Sequence, residues 1–440
     1  MPKTPKKELV KKARGMQDIL SREYFFREKF LEKTRAIAGF YGFRPIQTPH
    51  LEKVELFDSS IGETTDMVEK EMYALKTKGG DRLVLRPEGT APIVRAYFEH
   101  GMQSKPQPVM LYYHGSFFRH EKPQKGRGRE FQQFGLEILG EKDSIADAII
   151  IKVLLSILEE AGGLKNISLH LNSVGDKECR KTYQKVLAVY YRKRAKEICK
   201  DCERRLKTNP MRLLDCKDEK CAEIKMEAPQ IINYLCDGCK NHFKSLLEIL
   251  DASGIPYYLD PFLVRGLDYY SRTAFEFFAE EKKEKKEETK EAEETAEEKT
   301  LAIGGGGRYD SLGTILGGKE LPAVGGSIGI DRVILYSKAK QKITHKMAKV
   351  YFVQLGSEAK QRSLAILEML RKAKIPARHS LSKDSLKGQL KMASRMKIPY
   401  ALILGQKEVF EKSIIVKNMS SSSQETVPVE KLVDYLRKKI

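Results

Sequence analysis

Residues 263–277 read LVRGLDYYSRTAFEF. Arg265 stands beside a glycine, Asp268 and the adjacent Tyr269 and Tyr270 follow, and then a β-prone run begins. A fixed cation next to two phenols can hold an anion on the guanidinium and a polar ring on the tyrosines. A second set of reactive types lies in FFRHEKPQKGRGREFQQFGLEILG, residues 117–140. Arg119 and Glu121 end one strand-like run. A basic, Gly-containing loop then carries Lys122, Gln124, Lys125, Arg127 and Arg129, and a second run carries Phe131, Gln133 and Glu137. If the two runs pair as a hairpin, Phe131, Gln133, Gly135 and Glu137 share one face. That face combines an aromatic platform, an amide and a carboxylate, unlike a plain core strand. The plainer alternative is an exposed basic hairpin that holds phosphate loosely.

Three further segments bear chemistry. In LRPEGTAPIVRA, Glu88 and Thr90 offer a carboxylate and a hydroxyl suited to an ammonium group; the same residues also read as a helix start capped by Thr90. GGGGRYDSL, residues 304–312, contains Tyr309 and lacks the GK[ST] ending of a P-loop, so its glycines point to close backbone approach to a ligand instead. In GGSIGIDRVIL, residues 325–335, glycines lead to Arg332 at the head of an apolar helix, where an arginine can meet a phosphate. That segment is equally compatible with an ordinary strand-to-helix junction.

All seven cysteines lie between Cys179 and Cys239. Cys199 with Cys202, and Cys236 with Cys239, form two C-x-x-C pairs, the spacing of a structural zinc site. The expectation is a zinc tetrathiolate of Cys199, Cys202, Cys236 and Cys239 that catalysis does not need. The alternative is a set of free thiols buried as small apolar groups.

The elements that must position these residues follow from periodicity. Residues 18–42 have helical spacing, and 43–52 read as extended because two prolines exclude a helix interior. MYALK, RLVLRPE, PVMLYYHGSFFRHE and EFQQFGLEILG read as strands joined by short turns, and 144–162 as a strong helix. Consecutive hairpin-linked strands argue for an antiparallel sheet. Residues 175–255 read as an inserted Cys-rich helical module, before strands resume at 257–264, TAFEFFA and LAIGGGGRYD. Residues 280–299 hold 10 Glu and 6 Lys with no large apolar residue, so they read as a charged insertion that builds no core. A Lys-rich linker near 336–347 precedes 346–440, where strands and helices alternate as in a separate α/β domain. The fold class expected is therefore α+β, with a split core of 1–174 and 256–340.

A composition of 41% hydrophobic and 32% charged residues is that of a water-soluble globular protein. No apolar run reaches the roughly 18 residues that a membrane span needs. The Lys-rich start lacks the apolar segment of a secretory signal and the bias of a transit peptide, so a cytoplasmic protein is expected. The net charge of +20 points to a polyanionic partner, and residues 346–440 concentrate it, with 20 Lys+Arg against 8 Asp+Glu. That concentration favours a nucleic-acid surface over general lysine enrichment.

Taken in order along nearly the whole chain, these segments resemble the bacterial-type histidyl-tRNA synthetases, which are class II aminoacyl-tRNA synthetases. The Pro-containing stretch around Pro49 resembles motif 1, FRHE…FGLE motif 2 and GIDR motif 3. VRGLDYY, RPEGTA, IGETTDMVEKEMY and GGRYD resemble segments specific to the histidine enzymes. The resemblance implies a class II antiparallel catalytic domain with a helical insertion, a C-terminal α/β anticodon-binding domain, and a homodimer formed through motif 1. It implies that L-histidine, ATP with Mg2+, and tRNA(His) are bound, and that histidine is activated and then transferred to the tRNA. Arg119 and Arg265 would flank the α-phosphate as the catalytic pair, Arg265 also touching the histidine. Arg127 and Arg332 would hold the outer phosphates, Phe131 would stack on adenine, and Glu121 would lie near its amino group. Glu88, Thr90 and Gln133 would grip the α-ammonium, while Glu137, Tyr270 and Tyr309 would read the imidazole with Tyr269 beside them. Lys122, Gln124 and Arg129 would face the tRNA acceptor end. LDCK around Cys216 resembles a family segment seen without the other cysteines, which leaves Cys216 outside the expected zinc ligands. Two departures stand out: the insertion at 280–299, and Lys122 where relatives often carry arginine. A non-catalytic regulatory paralogue and a plain RNA-binding relic are the competing readings. The first typically lacks parts of the histidine signature, and the second has no need of Arg119, Arg265 and Arg332 together.

Overall fold

A computed structural model of the 440-residue chain describes residues 9–61, 67–124, 126–279, 301–337, 348–380 and 385–440. Lys125, the charged stretch 280–299, part of the IGETTDMVEKEMY segment and most of the expected linker lie outside the described residues. Two compact units divide the chain, Met1–Gln341 and Lys342–Ile440.

In chain order the strands of the first unit are β1 (Arg44–Pro45), β2 (Leu51–Lys53), β3 (Tyr73–Lys76), β4 (Arg82–Leu85), β5 (Val109–Phe118), β6 (Glu130–Leu139), β7 (Ile167–Ser173), β8 (Tyr258–Leu259), β9 (Ser271–Ala279), β10 (Ala302–Arg308) and β11 (Ala323–Gly329). Eight of them form one sheet in the order β1-β5-β6-β11-β10-β9-β7-β8, and β2-β4-β3 form a small second sheet. The six central strands pair antiparallel throughout, and only the short edge strands β1 and β8 run parallel to their neighbours. The expected hairpin is present: β5 and β6 pair from Val109↔Leu139 to Phe118↔Glu130. The helix Ser21–Phe40 is locked onto the sheet through Arg27, which meets Asp331 at 2.6 Å, while Asp331 also accepts the backbone N–H of Gln132 on β6.

Residues 175–255 fold as helices Lys177–Arg192, Lys200–Thr208, Glu219–Met226 and Asp237–Ala252, with short 3-10 turns between them. Their buried side chains, among them Tyr183, Leu187, Met211, Leu214 and Leu235, join one apolar cluster with Tyr113 of β5 and with Tyr269 and Tyr309 of the loops that flank β9 and β10. In the second unit β12 (Val350–Gln354), β13 (Ala377–His379), β14 (Tyr400–Leu404), β15 (Ser413–Asn418) and β16 (Gln424–Pro428) form a sheet ordered β13-β12-β14-β15-β16. Its β13-β12-β14 half is parallel, as the alternation of strands with the helices Ser357–Lys372 and Leu386–Arg395 requires. No described helix is long and apolar enough to cross a membrane.

Two expectations need correction. The strand read over 257–264 shrinks to Tyr258–Leu259, because Asp260 turns the chain at Pro261, accepting from the Phe262 N–H and, through its carbonyl, from Leu263. The sequence reading also passed over β7, whose run ISLHLNS puts Ser168 and Asn172 among buried positions. Asn172 stays satisfied by donating to Leu263 O at 3.0 Å.

The GGGGRYD segment is anchored by a fully buried ion pair. Arg308 at the end of β10 and Asp147 in the helix Ile145–Ser156 are both without exposed surface. Arg308 also donates to Glu141 O, Asp143 O and Asp310, so its guanidinium is saturated. Replacing Asp147 with alanine would strip that buried cation of its main carboxylate partner and leave it only Asp310, at a cost of about 3 kcal/mol. Urea unfolding of Asp147→Ala should show a loss of that size, and a loss under about 1 kcal/mol would contradict a structural role for the pair.

Candidate active site

Glu88 lies at the head of the helix Thr90–Glu99. Its two carboxylate oxygens accept the N–H groups of Thr90 at 2.6 Å and Ala91 at 2.9 Å, so the glutamate caps the helix. Thr90 is thereby released from capping, and its hydroxyl donates to Glu137 Oε1 at 2.8 Å. The other oxygen of Glu137 accepts from the Tyr309 hydroxyl, and Tyr269 donates to Glu88 Oε2 at 3.3 Å. The expected Glu88, Thr90, Glu137, Tyr269 and Tyr309 therefore form one continuous buried network across β6, the helix head and the loop before β9. Tyr270 joins by its ring, 4.8 Å from that of Tyr269.

Burial dominates the electrostatics of this network. It pushes the Glu137 carboxyl up to about 8, against the hydrogen bonds from Tyr309 and Thr90, and it raises Glu88 as well. Space around Glu137 is made by Gly325 on the neighbouring β11, where any Cβ would sit 1.6 Å from Glu137 Oε2. Tyr113 on β5 is a member that the sequence reading missed. Its ring occupies the positions that a Cβ on Gly89 or Gly135 would need, and the charges of Glu137 and Glu88 both act on its hydroxyl.

A second group is cationic. Arg119 donates through Nε to Pro87 O at 2.9 Å and lies 5.2 Å from the centre of the Phe131 ring. Arg127 reaches Glu121 at 3.5 Å, and the loop between them closes through paired backbone bonds of Gln124 and Arg127. Arg332 donates to Gly126 O at 3.1 Å and Ala302 O at 2.6 Å, tying the loop to β10. Burial, then the like charges of Arg127 and Arg119, depress the Arg332 guanidinium to about 10. Three guanidiniums whose charges act on one another are chemically suited to an anion of several charges.

Arg265 connects the two groups. It lies over the Tyr270 ring at 5.5 Å and pairs with Glu276 on β9, a partner that the sequence reading did not single out. The charge of Glu276 also acts on Arg332. The VRGLDYY loop is held from behind by the helical module: Arg180 donates to Asp268 O and Tyr270 O at 2.8 Å, Asn209 to Asp268 Oδ1 at 2.9 Å and Arg212 to Gly266 O at 2.8 Å.

Other expected residues are less engaged. Gln133 on β6 is half-buried and makes no side-chain hydrogen bond among the described residues, and Lys122 and Gln124 are exposed on the loop. Arg129 is used structurally, donating to Glu121 O at 3.2 Å and to Gly15 O through its backbone.

The expected zinc foursome is a correction. Cys199 and Cys202 gather with Cys216 and Cys221, whereas Cys236 and Cys239 gather with Cys179 and Asp176. Each C-x-x-C pair starts its own helix, and the two helix starts meet different partners. Cys236 donates its N–H to Cys179 Sγ at 3.1 Å, at the start of the helix Lys177–Arg192, where Asp176 accepts from both Cys236 and Cys239 at 3.3 Å. Cys216, expected outside the set, lies 3.8 Å from Cys199.

Comparison with known proteins is consistent along the chain. A family model described as histidyl-tRNA synthetase matches residues 15–333, and one described as an anticodon binding domain matches 349–439. The histidine–tRNA ligase of Natranaerobius thermophilus is 40% identical over 432 residues, spanning 98% of this chain and 99% of the relative. That of Moorella thermoacetica is 41% identical over 433 residues, spanning 98% of each. The solved structure of apo Staphylococcus aureus histidyl-tRNA synthetase superposes with a TM-score of 0.76 at 33% identity, covering 97% of this chain and 99% of that one. With the motifs in order and the match running through both units, the chain belongs to the histidyl-tRNA synthetase family.

Proposed function

We propose that the chain charges tRNA(His) with L-histidine in two steps, using the two residue groups that meet at Arg265. The chain is a histidine–tRNA ligase of class II and uses ATP. The observation that carries the residue assignment is the junction itself. Arg265 touches the buried Tyr270 on one side and, through Glu276, belongs with the arginine cluster on the other.

In the first step an oxygen of the histidine carboxylate attacks the α-phosphorus of ATP in line, a P–O bond forms, and the bond to pyrophosphate breaks. A carboxylate is already ionised near neutrality, so no protein base is required. What the site must supply is position and positive charge for the pentavalent phosphate. Arg119 and Arg265 take the α-phosphate, and Arg127 and Arg332 the outer ones. Their carboxylate partners Glu121 and Glu276 hold the side chains in place until phosphate displaces them. Phe131, with Arg119 over its ring, is the platform for adenine, and Glu121 lies near the adenine amino group. Glu121 and Glu276 would be the oxygen donors that hold Mg2+, which would supply charge neutralisation at the outer phosphates.

Histidine is read by the buried network. Glu88, Thr90 and Gln133 take the α-ammonium, while Glu137, Tyr309 and Tyr270, backed by Tyr269, take the imidazole. The Glu137 carboxyl, raised to about 8, is largely protonated near neutrality and gives up that proton to accept an imidazole N–H, so a ligand without that donor leaves it protonated. In the second step the terminal ribose hydroxyl of the tRNA attacks the adenylate carbonyl, and the departing phosphate takes the proton. Lys122 and Gln124, exposed on the loop, meet the acceptor end in this reading, with Arg129 bracing the loop, and the basic second unit takes the anticodon. The working form in this reading is a cytoplasmic homodimer built on the Pro-containing edge near β1.

Two outcomes test this reading. Arg265→His should lower histidine-dependent ATP–pyrophosphate exchange by at least about 100-fold while far-UV circular dichroism is unchanged; normal exchange would sink the assignment. The second concerns Glu137. The native carboxyl keeps its proton up to about 8, whereas an unperturbed one releases it near 4.5, so between these values the native state binds more protons. Stability from this group therefore falls as pH rises through that window. The stability of wild type relative to Glu137→Gln should decline from pH 4.5 to about 8, and a difference independent of pH would contradict the buried, protonated carboxyl.

A further inference from the structure

We propose that Cys199, Cys202, Cys216 and Cys221 form a closed zinc tetrathiolate that fixes the helical module behind the VRGLDYY loop. The four sulfurs all lie within 4.8 Å of one another, and Cys199 and Cys216 are 3.8 Å apart. Zn–S bonds of about 2.3 Å in a tetrahedron give sulfur–sulfur edges of about 3.8 Å. The cysteines are free, and their separation is well beyond the roughly 2.05 Å of a disulfide. Cys202, Cys216 and Cys221 are buried and Cys199 is half-buried, leaving no open position for a reacting water, as in structural rather than catalytic zinc sites.

Local structure prepares the ligands. Cys199 caps the helix Lys200–Thr208 and Cys202 lies in its first turn, Cys216 closes the 3-10 turn Pro210–Asp215, and Cys221 lies in the first turn of Glu219–Met226. The Cys199 N–H donates to Cys221 Sγ at 3.3 Å, the kind of backbone bond that offsets charge on a metal-bound sulfur. Helices of 9 and 8 residues with mostly charged faces cannot hold themselves together. A metal that ties both to the intervening turn supplies that missing stability. The turn matters to the site, because Asn209 and Arg212 within and beside it hold Asp268 and Gly266.

The test uses the full chain with Cys236→Ser and Cys239→Ser, which removes the neighbouring C-x-x-C pair. Elemental analysis should find about one zinc per chain, and cobalt replacement should give the intense sulfur-to-cobalt charge-transfer absorption of four thiolates. Adding Cys216→Ser should abolish both. Absence of stoichiometric zinc from the double variant overturns the proposal, as does a cobalt spectrum without thiolate bands. Zinc retained after Cys216→Ser overturns it too. The cobalt spectrum of the double variant decides the question even if Cys216→Ser does not fold.

Discussion

Glu137 is a carboxyl with no exposed surface, and the arrangement of the central sheet follows from the need to satisfy it. One oxygen takes the Thr90 hydroxyl and the other the Tyr309 hydroxyl, so a helix head and the end of β10 are both referred to β6. Thr90 is available only because Glu88 has assumed the capping of its helix. Gly325 on β11 must be glycine because the carboxylate occupies the space of its Cβ. An unpaired buried carboxylate would cost several kcal/mol or stay protonated. The network therefore orders the pocket before a ligand arrives, and pre-ordering is what gives a polar pocket its discrimination.

The cationic half obeys a different rule. Arg119, Arg127 and Arg332 repel one another, and their proximity is sustained by backbone carbonyls and by Glu121. Arg265 is held likewise by Glu276. Cations stored against carboxylates in a partly dry cleft are positioned without reorganisation when phosphate replaces those carboxylates. In the proposed assignment the two halves share Arg265, so the geometry that would read the amino acid would also set the charge at the reacting phosphate. The helical module contributes by gripping the loop that carries Arg265 through Arg180, Asn209 and Arg212.

Much of this was legible in the sequence for a physical reason. Glu137 and Gln133 put polar groups on the Phe131 face of a strand, while the roles of Glu88, Tyr270 and Tyr309 were legible through the segments that resemble the histidyl-tRNA synthetases. Tyr113 escaped notice because an aromatic on a strand looks like ordinary packing, and its place above Gly89 and Gly135 is visible only in three dimensions. Arg308 and Asp147 are 161 residues apart, a distance over which no local pattern speaks. The cysteine spacing suggested one tetrathiolate of Cys199, Cys202, Cys236 and Cys239, whereas each C-x-x-C pair meets partners that lie elsewhere along the helical module. The strand β7 was hidden by Ser168 and Asn172, polar residues that are buried, the second satisfied by Leu263 O.

The central claim is that the buried network selects histidine while the arginines activate it. It is tested most directly by exchange of labelled pyrophosphate into ATP by the purified wild-type chain, with each of the twenty amino acids supplied in turn and no tRNA present. The account predicts exchange with histidine alone. Exchange without an amino acid, exchange driven equally by others, or none with histidine would contradict it.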